Sequence, residues 1–178
     1  MSRNTRLLVS LLLTSVVALA LVASSSPAHE NVTIRIYRDG EYSIAPGQQA
    51  LLEGGWSACS KGLTQDWVDA IDVDATLSYN GEVIQTIQGK EADKHWTPVA
   101  QAGPDDSGYC LWPVDSLWRS NWRYDHLKLS KPGDYQLYLR TYIDGRIIDG
   151  GDYDENGLPD YWEGTFSEAS ILIHVLDK

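Results

Sequence analysis

The amino-acid sequence predicts an all-β fold, an antiparallel β-sandwich of about seven strands. Three observations lead to this prediction. Short runs alternate between apolar and polar side chains with a period of two, Gly, Pro, Asn and Asp separate these runs, and no segment has the periodicity of a long helix. The chain has 178 residues, which is enough for one domain with a single core even after removal of a leader.

The first half of the domain contains four predicted strands. The clearest is IDVDATLSY, in which alternate residues from Ile71 to Leu77 are apolar and those between them are polar. Asn80-Gly81 follows and is a strong hairpin signal. In SKGLTQDWVDA, Ser60 is a candidate N-cap for one helical turn, and Gly62 limits its extension. The predicted strands are residues 32–38, 48–56, 71–79 and 82–88.

The second half is irregular at first and then rich in strand-forming residues. Residues 89–121 are loop-rich, and strands are predicted at 122–129, 134–144 and 167–177. The stretch PGDYQLYL resembles the entry to the sixth strand of immunoglobulin-like domains, where a tyrosine pins the preceding corner. This resemblance implies an immunoglobulin-like sandwich with Tyr135 as the corner tyrosine.

The first 28 residues are predicted to be a secretory signal peptide. Arg3 and Arg6 precede the apolar run LLVSLLLTSVVALALVA, and Ser26-Pro27-Ala28 offers a cleavage site of small residues, with cleavage after Ser24 as the alternative. The domain would then be residues 29–178, secreted, periplasmic or at the cell surface, with no membrane span after cleavage. The apolar run is at the short limit for a span, so an uncleaved N-terminal anchor stays open.

Charge and cysteine content limit the function classes. The formal net charge is −11 at pH 7, so the surface repels nucleic acid and attracts divalent cations, and a nucleic-acid partner is not expected. Cys59 and Cys110 are an even pair in an exported chain, which predicts one structural disulfide. Closing a loop of about 50 residues would stabilise the fold by roughly 4 kcal/mol.

The stretch DYDENGLPDYWE, residues 152–163, carries the strongest functional signal. Acidic or amide side chains stand at positions 1, 3, 5, 9 and 12 and Gly157 at position 6, which satisfies the pattern D-x-[DN]-x-[DN]-G-x5-E. Calcium takes six to eight oxygen ligands, so a tight turn presents them from alternate residues, and glycine allows the sharp backbone reversal. The alternative is a solvated acidic hairpin loop, since Asp, Asn and Gly are common in turns.

This stretch resembles the calcium loops of EF-hands and, more closely, those of dockerins and thrombospondin type 3 repeats. The resemblance implies one Ca²⁺ in a loop between the last two strands, because Gly150-Gly151 and Gly164 oppose flanking helices. Pro159 would start at most one helical turn, reaching Trp162 and aiming Glu163 at the ion. A single loop implies an affinity on the order of 10⁻⁴ to 10⁻³ M and a structural ion rather than a sensor. The implied ligands are side-chain oxygens of Asp152, Asp154, Asn156, Asp160 and Glu163 and the backbone carbonyl of Leu158.

The aromatic residues suggest a second type of site. The chain has seven Trp and ten Tyr but one Phe, and Trp112, Trp118, Trp122 and Tyr124 lie close together in an irregular segment. If exposed, these rings form a stacking platform for a glycan or a contact surface for a surface protein; if buried, they fill a core that is short of Phe. Burial is the favoured interpretation, and a carbohydrate-binding module is the alternative function.

Motifs of familiar enzymes are absent from the sequence: there is no nucleophile elbow, HExxH, phosphate loop or dinucleotide fingerprint. We therefore expect a secreted calcium-binding sandwich with a non-enzymatic binding or structural role at the cell surface. Cleavage after Ala28 would make His29 the first residue, which resembles copper monooxygenases and copper carriers built on β-sandwiches, so a copper-dependent enzyme or carrier is a further alternative. His174, in the apolar last strand, is expected to be structural.

Overall fold

The structure is a computed structural model that describes residues 31–89 and 93–177. Nine β-strands and one α-helix contain most of these residues. Within these ranges no helix combines the length and hydrophobicity that a membrane span requires. The predicted signal peptide and His29 lie outside the described residues. The elements are β1 (Val32–Arg35), β2 (Gly40–Ile44), β3 (Ala50–Ala58), α1 (Lys61–Ala70), β4 (Ile71–Tyr79), β5 (Glu82–Ile87), a 3-10 helix (Asp93–His95), β6 (Ala100–Gly103), β7 (Leu117–Tyr124), β8 (Gly133–Ile148) and β9 (Tyr161–Val175).

The strands form two packed sheets, which confirms the predicted all-β sandwich. One sheet has the order β1-β3-β7-β6 and the other the order β2-β9-β8-β4-β5. The order β1-β3-β7-β6 corresponds to strands A-B-E-D of an immunoglobulin-like sandwich, and β9-β8-β4 corresponds to strands G-F-C. The sandwich was predicted to be antiparallel, and this part of the prediction was wrong. β1 runs parallel to β3, and β2 runs parallel to β9. The predicted strand at 32–38 ends at Arg35, and the chain then crosses to the second sheet as β2.

The core follows from the alternation that predicted the strands. In β4, Ile71, Val73, Ala75 and Leu77 are all at most 4% exposed, and the residues between them face outward or are half-buried. β8 continues the same pattern on the neighbouring strand. Trp122 of β7 is fully buried and belongs to this main core.

Two predicted turns form as expected. Asn80 and Gly81 both have positive φ, 51° and 80°, which suits the tight hairpin between β4 and β5. The Tyr135 hydroxyl accepts a hydrogen bond from Lys131 N and donates one to Lys131 O, both at 2.9 Å. Tyr135 therefore pins the corner before β8, as the sequence resemblance implied.

The segment after Ser60 is a complete helix, α1, rather than the single turn predicted. The Ser60 hydroxyl caps it by accepting a hydrogen bond from Leu63 N at 3.2 Å. Trp67 on this helix is fully buried and stacks on Trp56 of β3, with ring centroids 4.3 Å apart. Burial of this large ring stabilises a helix that Gly62 weakens, because tertiary packing supplies most of the stability of short helices.

The predicted boundaries of the later strands were wrong. β7 spans 117–124 instead of 122–129, because it pairs with β3 along Ala58↔Trp118 to Leu52↔Tyr124. The short strand β6 was not predicted. β8 and β9 are longer than predicted and pair as far as Ile148↔Tyr161, with register shifts that accommodate the extra residues.

Candidate metal centre

The predicted calcium loop connects β8 to β9, the last two strands, as expected. The helical turn predicted from Pro159 to Trp162 does not form, because β9 begins at Tyr161 and Trp162 pairs with Ile147 of β8. The loop therefore leaves and re-enters one antiparallel strand pair, and its two ends are held by the sheet.

Three carboxylates of the loop come together. One oxygen each from Asp152, Asp154 and Asp160 lies within 4.8 Å of the others. These residues hold positions 1, 3 and 9 of the twelve-residue pattern. At such distances each pair of negative charges repels by about 1 kcal/mol even in the dielectric of water. A divalent cation placed between them would reverse the sign of that interaction.

Backbone amides curl the loop around the first aspartate. Asn156 N donates to Asp152 Oδ1 at 3.0 Å and Gly157 N donates to Asp152 Oδ2 at 2.9 Å. Asp160 is drawn in by an amide as well, since Tyr153 N donates to its Oδ2. Glu155 and Gly157 have positive φ, 57° and 82°, which makes the reversal. The convergence of the carboxylates thus has a local cause, because hydrogen bonds from the loop's own backbone amides wind it.

The other predicted ligands are placed differently. Asn156 Oδ1 accepts a hydrogen bond from Leu158 N at 2.8 Å, and its Nδ2 donates to Asp154 Oδ2 at 2.7 Å. Leu158 is exposed. Glu163 is exposed in β9 opposite Arg146, and it is not one of the three clustered carboxylates. Coordination by Asn156, Leu158 and Glu163 stays a prediction.

The donor set of the cluster fits a hard cation. It consists of carboxylate oxygens, and within the described residues no cysteine or histidine belongs to it. Calcium prefers oxygen ligands, whereas zinc and copper sites use thiolate and imidazole. The loop is exposed from Tyr153 to Leu158, so water is available to complete a coordination shell.

A buried carboxylate, Asp149, precedes the loop, and it was not among the predicted site residues. Asp149 is 0% exposed. Its Oδ2 accepts hydrogen bonds from the indole Nε1 atoms of Trp56 at 3.1 Å and Trp162 at 3.0 Å, and from the Tyr153 hydroxyl at 3.4 Å. Burial and the neighbouring Asp149 raise the pKa of Tyr109, and burial is the largest cause that raises the pKa of Tyr153 to about 12. Both phenols stay protonated and can donate at neutral pH.

The predicted disulfide is confirmed. Cys59 and Cys110 are bonded, and they join the end of β3 to the loop that precedes β7. The bond lies beside Gly150: a β-carbon placed on that glycine would be 2.7 Å from Cys59 Cβ. The disulfide therefore adjoins the entrance of the candidate calcium loop.

The four candidate ligand-binding aromatics do not share one exposed surface. Trp122 is fully buried, which agrees with the favoured interpretation, and its ring is stacked with that of Tyr124 at 6.0 Å. Trp118 and Tyr124 are half-buried, and Trp112 is 39% exposed. Trp112 and Trp118 line a common cavity of about 370 Å³ at the surface.

His174 has the structural role expected of it. Its Nδ1 lies 2.7 Å from Asp134 Oδ1 and its Nε2 lies 2.9 Å from Glu41 Oε1. The hydrogen bond with Asp134 is the largest cause that raises the pKa of His174, and the hydrogen bond with Glu41 is the next largest. The copper alternative rests on His29, which lies outside the described residues.

Comparisons with known proteins give little. No protein-family model matches the chain, and no curated protein matches it significantly. Among solved structures, a family 123 glycoside hydrolase from Clostridium perfringens, studied for glycolipid glycan hydrolysis, matches with 11% identity and a TM-score of 0.27. The match covers 79% of this chain and 23% of that chain. This chain thus spans less than a quarter of the matched structure's length.

The expectation of a non-enzymatic chain is corrected on this finding, because the matched structure is a hydrolase. A likeness with a TM-score of 0.27 assigns neither an activity nor a substrate to this chain. We transfer no catalytic residue from it.

Proposed function

We propose that this chain is a secreted, calcium-binding β-sandwich whose single ion clamps the β8–β9 loop and thereby stabilises a binding or structural domain at the cell surface. The observation that carries the proposal is the convergence of Asp152, Asp154 and Asp160, which the calcium pattern had placed at positions 1, 3 and 9. Three like charges within 4.8 Å of one another repel, and a divalent cation between them would turn that repulsion into attraction.

The ion acts by removing repulsion and by fixing a connection. Without it, three carboxylates oppose the winding that Asn156 N and Gly157 N impose. With it, the strands on both sides of the loop keep their register up to Ile148↔Tyr161. The ion is a structural clamp because one unpaired loop suits calcium affinities of about 10⁻⁴ to 10⁻³ M, which millimolar extracellular calcium saturates.

Thermal unfolding with and without calcium tests the proposal. At 10 mM calcium an affinity in this range stabilises the native state by about 1.4–2.7 kcal/mol, or about 3–11 °C in Tm. We expect this increase for the native chain against EDTA, and its loss in Asp152→Asn and in Asp154→Asn. Asp106→Asn, an exposed aspartate in another loop, is the matched control and should respond like the native chain.

Glu163→Gln decides whether the twelfth position coordinates the ion. If it does, the calcium-dependent increase in Tm falls while the Tm in EDTA stays close to that of the native chain. An absence of any calcium response in the native chain, measured by melting and by calorimetric titration, would refute the calcium proposal.

Glycan binding is a second candidate, favoured by the cavity that Trp112 and Trp118 share. Its polar lining includes Gln101, Asp115 and Ser116, so ring faces and hydrogen-bonding groups are adjacent, as a sugar requires. Binding on a glycan array that Trp112→Ala abolishes, and that Tyr138→Ala leaves intact, would support this candidate. Tyr138 is an equally exposed aromatic on a different surface, at 44% against 39% for Trp112.

A further inference from the structure

The segment Asp149–Gly151 lies between the disulfide and the candidate calcium loop. All three residues are buried, whereas the loop that follows is exposed from Tyr153 to Leu158. The segment makes backbone hydrogen bonds with residues at the disulfide and with the calcium loop. Substituting side chains elsewhere does not remove these bonds. It is therefore the physical connection between two features that the sequence places far apart.

On one side the segment is fastened to both halves of the disulfide. Cys59 N donates to Asp149 O at 2.8 Å, and Leu111 N donates to Gly150 O at 3.0 Å. Cys110 forms an isolated antiparallel bridge with Gly151. The backbone at Cys59 and the backbone at Cys110 and Leu111 thus both hold the segment, and the S–S bond fixes the distance between these two stretches of backbone.

On the other side the segment fixes two of the three clustered carboxylates. Asp152 follows Gly151 directly, and Gly151 O accepts a hydrogen bond from Asp160 N at 3.0 Å. Gly151 N in turn donates to the buried Asp149 Oδ1 at 3.0 Å. The relative position of Asp152 and Asp160 therefore depends on where Asp149 and Gly151 lie.

We propose that Asp149 is a positioning residue that couples the Cys59–Cys110 disulfide to the calcium loop, so that the oxidised bond strengthens calcium binding and bound calcium stabilises the oxidised bond. This inference rests on the proposed calcium function. Its physical basis is that an intact bond holds the segment in place, and calcium then binds carboxylates that are already near one another. When the bond is reduced, calcium must also order the segment, which weakens binding.

Coupling between two sites is reciprocal at equilibrium. A dithiol reductant gives the S–S bond two electrons and two protons, forming the two cysteine thiols, and itself becomes a cyclic disulfide. The equilibrium constant of this exchange should fall on calcium saturation by the same factor by which reduction weakens calcium binding. Couplings of this kind are typically about 5-fold to 150-fold, and we expect about tenfold here.

Calorimetric titration of the full chain with calcium chloride, in the oxidised and the reduced state, measures the first half of the coupling. The dithiol exchange equilibrium with calcium or with EDTA measures the second half. Equal calcium affinities in the two redox states would overturn the inference while leaving the calcium site intact. No calcium binding in the oxidised chain would instead refute the proposed function, so the two failures are distinguishable.

Asp149→Asn tests the positioning role separately from general stability. Because the variant is measured with the disulfide intact, it tests the inference even if the reduced chain unfolds. The variant keeps the size of the side chain, but one amide hydrogen now faces the donors on Trp56, Trp162 or Gly151. We expect calcium affinity to fall about tenfold with the disulfide intact, measured well below the melting temperature, where a loss of stability alone does not change the affinity.

Asp144→Asn is the control, since Asp144 is an exposed aspartate of the same strand. Its calcium affinity should equal that of the native chain. If Asp149→Asn also keeps the native affinity, Asp149 does not position the loop and the inference fails.

Discussion

Replacing Gly150 with alanine tests how closely the loop entrance packs on the disulfide. Gly150 has φ of +90°, and an added β-carbon would lie 2.7 Å from Cys59 Cβ, 3.0 Å from its Sγ and 3.1 Å from Trp112 Cη2. Cys59 cannot move aside, because it is bonded to Cys110 and its amide is hydrogen-bonded to Asp149. Gly145 provides the matched control, with φ of +87° and nothing within 4 Å of an added β-carbon.

The expected magnitudes follow from these contacts. A positive φ costs a residue with a β-carbon about 1–2 kcal/mol, and both variants carry this cost. Gly150→Ala also overpacks a fixed neighbour, which costs about 1–3 kcal/mol more. We therefore expect a loss of about 2–5 kcal/mol for Gly150→Ala and about 1–2 kcal/mol for Gly145→Ala.

Urea unfolding of the oxidised chain, without calcium, measures both losses. The difference of about 2 kcal/mol should appear as a lower midpoint at an unchanged slope. If the two variants lose the same free energy, the disulfide does not pack tightly on the loop entrance, and the argument for coupling loses its steric basis.

Two further predictions concern the hydrogen bonds of the sandwich. Because Asp134 and Glu41 raise the pKa of His174 above 6.5 in the folded state, the stability that His174 adds should be complete at acidic pH and disappear as the pH rises through the raised pKa. Tm measured from pH 5 to 9 for the native chain and His174→Gln should therefore differ at low pH and converge at high pH; a constant difference would contradict the assignment. Tyr135→Phe removes two hydrogen bonds to Lys131 and should cost about 1–3 kcal/mol in urea unfolding, whereas an unchanged midpoint would show that the corner contributes nothing.

Local signals predicted the parts of the fold that local chemistry controls. β4 begins and ends at the predicted residues because its alternation and the Asn80-Gly81 turn leave one register. The disulfide was predicted from an even pair of cysteines in a chain that is expected to be exported. The carboxylates at positions 1, 3 and 9 of the loop converge because amides only two to seven residues away wind it.

Long-range packing determined the parts that the sequence did not predict. α1 extends to ten residues because Trp67 is buried against Trp56, a residue of another element. β9 begins at Tyr161 because β8 offers it a partner, and this pairing removes the helical turn expected from Pro159. Asp149 stands in an acidic, glycine-rich stretch that looks solvated, and its burial depends on the indole groups of Trp56 and Trp162, distant in sequence, that donate hydrogen bonds to it.

The parallel pairing at the start of the domain has a mechanical consequence. β2 runs alongside β9 from Gly40↔Ile171 to Ile44↔Val175, and β1 runs alongside β3 in the same sense. Tension applied ahead of β2 and beyond β9 slides these two strands lengthwise against each other, so that their hydrogen bonds rupture together instead of unzipping in succession. Force applied between these two points therefore loads the whole β2–β9 ladder in shear.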